Sequence, residues 1–396
     1  MSNERRVDII CGFGHFACHF FMLAFPALCL WIRKDLALND ADTLNIGFYM
    51  YLLFGLIALP AGFISDRWNG RAMLLIFCFG SGACSLACGL SSSIGQLTVA
   101  LAGVGAFSAI YHPVGMGMIS KCCTNRGESL GRNGVFGGLG IALAPLAAGF
   151  LASQIGWRQS YFIFALPCFA FGVWLLLTPI DETPVERANS AAKDAVGSTV
   201  LYFALMLACM MLIGIVYRGT SVTLPSFFES TIAGGGGSKP ADGKPLLATL
   251  IVTGVYLLAL SGQVVGGIVA DRFDLRIGYV GFHLISIPAM LALGTWAGWP
   301  LGLAAAAYLF FGLGAQPIEN SLVARLTPSH LRATSYGLKF ICVMGVGSFG
   351  VKIVRRIMNT HDTATIFQFQ ALLLVLVIII MLIFCGLSRK QQYRNQ

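Results

Sequence analysis

Gly62-Phe-Ile-Ser-Asp66-Arg67-Trp-Asn-Gly70-Arg71 closes one apolar run and opens the next. Gly267-Ile-Val-Ala-Asp271-Arg272-Phe-Asp-Leu-Arg276 does the same 205 residues later. Working outward, Arg126-Gly-Glu-Ser129-Leu-Gly131 is echoed by Arg332-Ala-Thr-Ser335-Tyr-Gly337 at an offset of 206. Two unrelated motifs that keep one register mark a duplicated chain, and the stretches between them are apolar. Duplication of membrane segments is the usual build of a transporter.

Composition sets the class. Hydrophobic residues make up 57% and charged residues 11%, with a mean hydropathy of +0.77. A soluble domain carries about 25% charged residues, so most of this surface faces lipid. Twelve apolar segments are long enough to span, near 8–31, 43–65, 72–91, 96–120, 131–154, 158–178, 199–226, 247–270, 276–297, 299–324, 334–354 and 366–388. A spanning helix needs about 20 residues, and a backbone that must satisfy itself in lipid is helical. The fold expected is an all-α membrane protein of twelve transmembrane helices in two pseudo-symmetric six-helix bundles. The halves are 1–178 and 199–396, joined by the polar linker 179–198. The first apolar run, from near Val7, is too long for the core of a cleavable signal peptide.

The net charge of +9 could point to nucleic acid, but the basic residues sit in short loops between apolar runs. Seventeen Lys and Arg fall on the side that carries both termini, Lys339 among them. Seven (Arg33, Lys34, Arg158, Lys239, Lys244, Arg355 and Arg356) fall on the other. By the positive-inside rule both termini are cytoplasmic, in an inner (cytoplasmic) or plasma membrane, and no nucleic-acid partner is implied. The twelve cysteines lie in the spans or on the cytoplasmic side, so structural disulfides are not expected. Cys84 and Cys88 share a helix face and read as packing residues. Gly234–Gly237 has flexible-linker composition and lacks the Gly-Lys-Ser/Thr of a phosphate loop. Nucleotide, Gly-x-Ser-x-Gly and His-Glu-x-x-His motifs are all missing, which argues against an enzyme and for a carrier driven by an ion gradient.

The loop signature Gly-x-x-x-Asp-Arg-x-x-Gly-Arg resembles that of the major facilitator superfamily, matched at Gly62, Asp66, Arg67, Gly70 and Arg71. The second copy keeps Gly267, Asp271, Arg272 and Arg276 but has Leu275 in place of the second glycine. Gly156-Trp157-Arg158 is also similar to the family. Gly14-His15-Phe16 with Pro26, and Tyr111-His112-Pro113, are most similar to its fosmidomycin-resistance-like branch. The resemblance implies a conformational latch at Gly62, Asp66, Arg67, Gly70, Arg71, Asp271 and Arg272 that forms when the cytoplasmic side closes. Physically, Gly62 permits close helix approach, Asp66 suits a helix N-terminus, and Arg67 and Arg71 can bridge to acidic groups on neighbouring helices. Segment five, with Gly131, Gly140, Pro145 and Gly149, resembles the family's antiporter pattern, with Ala144 and Ala148 replacing two glycines. Those small residues would serve helix packing, and the likeness leans toward export.

Ionisable groups at mid-membrane depth default to a functional reading. His15 and His19 lie one turn apart on one helix face, and His112 sits mid-depth in segment four. By resemblance, segments one, four, seven and ten line a substrate cavity. Arg218 precedes Pro225 by seven residues, as His19 precedes Pro26, so the duplication sets Arg218 at the equivalent of His19. Likewise Glu319 falls opposite Pro113, with Gln316 and Asn320 nearby, and Tyr111 flanks His112.

Two schemes follow. In one, Arg218 holds an anionic substrate while the histidines or Glu319 exchange protons. In the other, His15, His19 and His112, helped by Met206 and Met210, transiently hold a soft or borderline metal. A metal chelate of negative charge would reconcile them. The expectation is a monomeric secondary transporter of a small anionic organic solute or drug, proton-coupled and exporting, with no cofactor and no resident metal. Transport of a transition metal or chelate, and a non-transporting sensor of the same fold, are the alternatives.

Overall fold

Every one of the apolar runs folds as helix, because in lipid each backbone N–H must find its carbonyl within the same segment. Among the described residues twelve helices are long and apolar enough to cross a membrane, beginning with α1 (Asn3–Asp35), α2 (Asp40–Ser65), α3 (Gly70–Leu90), α4 (Ile94–Cys122), α5 (Ser129–Ile155) and α6 (Trp157–Leu177). They continue as α7 (Val200–Thr231), α8 (Pro245–Arg272), α9 (Leu275–Thr295), α10 (Pro300–Val323), α11 (Gly337–Thr360) and α12 (Thr363–Ser388). This computed structural model describes all residues except 125, 184–198, 233–243, 297–299, 328–331 and 395–396. The side chains of 66, 126–128, 199, 232, 324, 332–334, 336 and 389–394 are likewise outside the description. Most of the expected linker and the glycine run therefore lie outside the described residues.

Helix starts follow local chemistry. Asn69 and Asp274 hold equivalent positions in the two copies of the loop signature. Asn69 accepts the N–H of Ala72 at 2.6 Å, and Asp274 accepts that of Arg276 at 2.8 Å. Each supplies a carbonyl or carboxylate oxygen to donors the helix leaves unsatisfied. Gly156, between α5 and α6, has φ +89°, a value only glycine adopts without strain. It lets Arg158 turn back to Asp35 and to the carbonyl of Ser91 at 3.2 Å. Segment four breaks at Ala109 and Ile110, where Pro113 has no N–H to offer the carbonyl four residues earlier.

By its internal contacts the chain forms two compact units, Met1–Ser190 with Lys244–Thr253, and Ala191–Gly243 with Gly254–Gln396. Each pairs its helices in the same order, through glycines that bring backbones together. In the first unit a Cβ on Gly140 (α5) would sit 2.3 Å from the carbonyl oxygen of Phe16 (α1). One on Gly105 (α4) would sit 2.0 Å from that of Met50 (α2). Ser85 (α3) donates to the Tyr161 carbonyl (α6) at 2.7 Å. In the second unit Gly214 (α7) meets Val343 (α11), Gly262 (α8) meets Phe310 (α10), and Arg276 (α9) donates to Ser388 (α12) at 2.9 Å. Helices one and five, two and four, three and six pair in both. Met206 and Met210 are fully buried in the second unit's core with Tyr279, Phe282, Met381 and Phe384.

Segment five divides. Gly140 makes the close approach, and Gly149 abuts Thr249 in the stretch that groups with the first unit, but a Cβ on Gly131 would meet no described atom within 4 Å. Lys339, counted from the sequence among the cytoplasmic loop cations, is instead buried in α11. Its ammonium ion lies 2.8 Å from Glu319 Oε1, and that carboxylate compensates the lost hydration.

Candidate functional site

The break in segment four places His112 at the start of the helical stretch Tyr111–Cys122, facing α1. His15 and His19 come from one face of α1. Their ring centroids form a near-equilateral triangle, with His15–His19 5.0 Å, His15–His112 5.2 Å and His19–His112 5.0 Å. One ring nitrogen from each lies within 4.8 Å of the others, with His112 buried and the other two half-buried. Among the described residues this is the group of histidines, cysteines and carboxylates arranged to hold a metal ion; Cys84 and Cys88 are not part of it.

The surroundings are built for these rings. His15 Nδ1 donates to the carbonyl oxygen of Asn133 at 2.9 Å, since a carbonyl can only accept. That bond puts the proton of a neutral ring on Nδ1 and leaves the lone pair on Nε2. Gly137 makes the space: a Cβ there would lie 2.5 Å from His15 Nε2. Tyr111 stacks on His15 at 5.2 Å and accepts from Asn133 Nδ2 at 2.6 Å. Its ring is seated between Gly14 and Gly115, whose added Cβ atoms would approach it to 2.4 and 2.3 Å. Thus the structure brings Tyr111, His15, His19 and His112 together.

The second-unit residues group differently. Glu319 is 4% exposed and is held by Lys339 and by the hydroxyl of Tyr279, which donates to Oε2 at 2.9 Å. Lys339 also donates to Asn320. Gln316 is half-buried. Arg218, 3% exposed, lies with Nη2 3.9 Å from Met344 Sδ and packs on Gly350.

At the loop signature, Gly62 packs on Pro113, where its Cβ would come to 3.1 Å. The side chain of Asp66 lies outside the described residues. Among the described residues neither arginine bridges to an acidic side chain. Arg67 is exposed and lies 3.5 Å over the Phe63 ring. Arg71 donates to the carbonyls of Leu175 and Leu176 at 3.0 and 2.8 Å. At the end of α6 these carbonyls are partly negative and Leu175 has only a long 3.4 Å bond from the Thr178 N–H, so a guanidinium serves them well. A carboxylate does reach the loop signature, from beyond the end of α6: Glu182 accepts the backbone N–H groups of Gly70 and Arg71 at 2.9 and 2.8 Å, with Lys121 Nζ 3.9 Å away. In the second copy Asp271 and Arg272 are exposed, and Arg276 turns to Asp274 at 2.7 Å. That hydrogen bond holds the Asp274 carboxyl down at about 2.

The sequence model of the Major Facilitator Superfamily matches residues 10–351. The chain belongs to that superfamily. Among its relatives is the puromycin resistance protein pur8 of Streptomyces alboniger, 26% identical over 57% of this chain but only 41% of that protein. The tetracenomycin C resistance and export protein of Streptomyces glaucescens is 23% identical over 83% of this chain and 71% of its own. The crystal structure of a D-xylose–proton symporter superposes with a TM-score of 0.73 at 15% identity, over 96% of this chain and 97% of that one. This likeness is one of fold. The chain spans less than half the length of the puromycin relative.

In this superfamily member, sequence reasoning missed Lys339, Tyr279, Asn133 and Glu182. Lys339 and Glu182 were read as loop charges, and only their partners reveal them. Asn133 orients His15 through its main-chain carbonyl, which carries no residue signature, and its side chain holds the Tyr111 hydroxyl. Glu182 fills a helix N-terminus, where a carboxylate gains from two unsatisfied donors and the dipole. Glu182→Ala is expected to lower stability by about 1 kcal/mol, the usual cost of losing a cap. A melt in detergent checks this; an unshifted midpoint would remove the clasp from the ledger of stabilising contacts.

Proposed function

We propose that this protein is a secondary active transporter that exports a small anionic organic compound in exchange for protons. Membership of the superfamily carries the reading, together with relatives named for antibiotic resistance and export. An active transporter rather than an enzyme suits a chain whose buried polar groups sit mid-helix and whose twelve apolar helices make it a multi-pass membrane protein. The Gly14-His15-Phe16 and Tyr111-His112-Pro113 motifs favour the fosmidomycin-resistance-like branch. In this reading the halves 1–178 and 199–396, joined by 179–198, alternate access as a monomer. Both termini face the cytoplasm of an inner or plasma membrane, as the lysine and arginine bias favours. The buried guanidinium of Arg218 is the group chosen to hold the anion, since a planar fork pairs with carboxylate, phosphonate or phosphate. The histidines or Glu319 would carry the protons.

The test is flux of a panel of organic anions in proteoliposomes with an imposed pH gradient. Gradient-dependent movement is expected in the wild type, with loss of at least 10-fold in affinity in Arg218→Gln at an unchanged melting midpoint. Flux indifferent to the gradient would refute proton coupling, and no flux of any compound would favour a sensor.

A further inference from the structure

We propose that His15, His19 and His112 form a binding site for a borderline divalent transition-metal ion, for which zinc(II) is the probe, within the first unit. Three imidazole nitrogens within 4.8 Å of one another need only a small adjustment of ring torsions to bind. Tetrahedral zinc with Zn–N bonds of about 2.0–2.1 Å sets its ligand nitrogens about 3.3 Å apart. Nitrogen-only donors exclude magnesium and calcium, which take oxygen, and suit zinc, copper, nickel and cobalt.

Three further observations favour a ligand over mere packing. The Asn133 carbonyl orients His15 through Nδ1 and leaves Nε2 as the donor, the outer hydrogen bond that metal-ligating histidines almost always make. Segment four is interrupted at Ala109 and Ile110, just before His112, and broken helices at membrane depth occur where they serve a site. Finally, the duplication supplies an internal control. The 199-residue offset that pairs Pro26 with Pro225 sets Gly214 and Arg218 opposite His15 and His19. The 206-residue offset sets Ile318 opposite His112. The second unit pairs its helices the same way without a single imidazole at these places, so the fold does not require them. Nor does aromatic packing, for which Tyr111 and Phe54 are already at hand.

The cluster contains no carboxylate. A divalent ion held by three neutral rings keeps its charge, so the fourth position takes an anionic donor such as hydroxide. Such an open position is how ions held by three histidines engage a further ligand.

The experiment uses full-length protein freed of any polyhistidine tag, stripped with chelator and titrated with zinc(II) by calorimetry, then with cobalt(II) for its absorption spectrum. One zinc per chain is expected, with a rise in melting midpoint. His19→Ala, in which the half-buried ring is removed, and the shape-conserving His112→Gln should each weaken zinc by more than 10-fold, the least that losing an outer partner costs. His283→Ala should bind as the wild type does. Melts of the metal-free variants separate lost ligation from lost folding, and the wild-type titration stands without any variant. Absence of stoichiometric zinc overturns the proposal. So does binding that survives the histidine substitutions and shows thiolate-to-cobalt charge transfer, which would assign the ion to cysteines. Flux of organic anions read in the same preparations keeps the two readings apart: transport without zinc binding refutes this site and leaves the carrier intact.

Discussion

Lys339→Met is expected to destabilise the protein by about 3–5 kcal/mol, because it strands the Glu319 carboxylate in a dry interior. The two side chains are only 11% and 6% exposed, so water cannot take over the lost partner. Glu319 would retain the hydroxyl of Tyr279, which is a weaker compensation than an ammonium ion. Adding Glu319→Gln to Lys339→Met should recover most of the loss. A neutral amide still accepts from Tyr279, and a buried pair replaced as a whole is often near neutral in energy. Equilibrium unfolding of both single variants and the double variant gives the coupling directly. Additive losses would mean that the pair is not the unit described, and would return Lys339 to the class of interfacial cations.

Gly140→Ala is expected to cost about 1–3 kcal/mol, the range for forcing atoms into a packed core. The added Cβ would lie 2.3 Å from the carbonyl oxygen of Phe16 and 3.0 Å from its carbonyl carbon. Both are main-chain atoms of α1, and they cannot rotate away as a side chain would. Helix α1 must shift as a body, and with it His15 and His19. Gly131→Ala is the control on the same helix. Its Cβ meets no described atom, and alanine is the better helix former by about 1 kcal/mol, so the midpoint should hold or rise. Thermal melts of the two variants side by side read the difference. Equal losses would show that segment five is thinned for its own bending and not for contact with α1.

How far a sequence reads depends on how local the deciding physics is. His15 and His19 share a face because they stand one turn apart, and that was legible. That His112 closes the triangle follows from the break before Pro113 and from Gly137 yielding space to an imidazole, two features of separate helices. Arg71 was legible as part of the loop signature but not its acceptors, since main-chain carbonyls at the end of α6 have no residue signature. Glu182 read as one more charge in a polar linker. Its role depends on the N-terminus of α3 standing within reach, 112 residues away from Gly70 along the chain.

By itself the sequence determined the twelve helices, the duplication and the family. Burial of an apolar run in lipid and satisfaction of its backbone are decided within each segment, and two motifs at one offset need no coordinates. Tertiary structure alone decided which ionisable groups meet: three imidazoles in the first unit, Lys339 on Glu319 in the second, and a linker carboxylate on α3. Hydropathy places a charge at a depth, but the partner is chosen by which helix faces touch. That in turn is set by where Gly140 and Gly105 let two backbones come together and where Gly137 yields space to an imidazole.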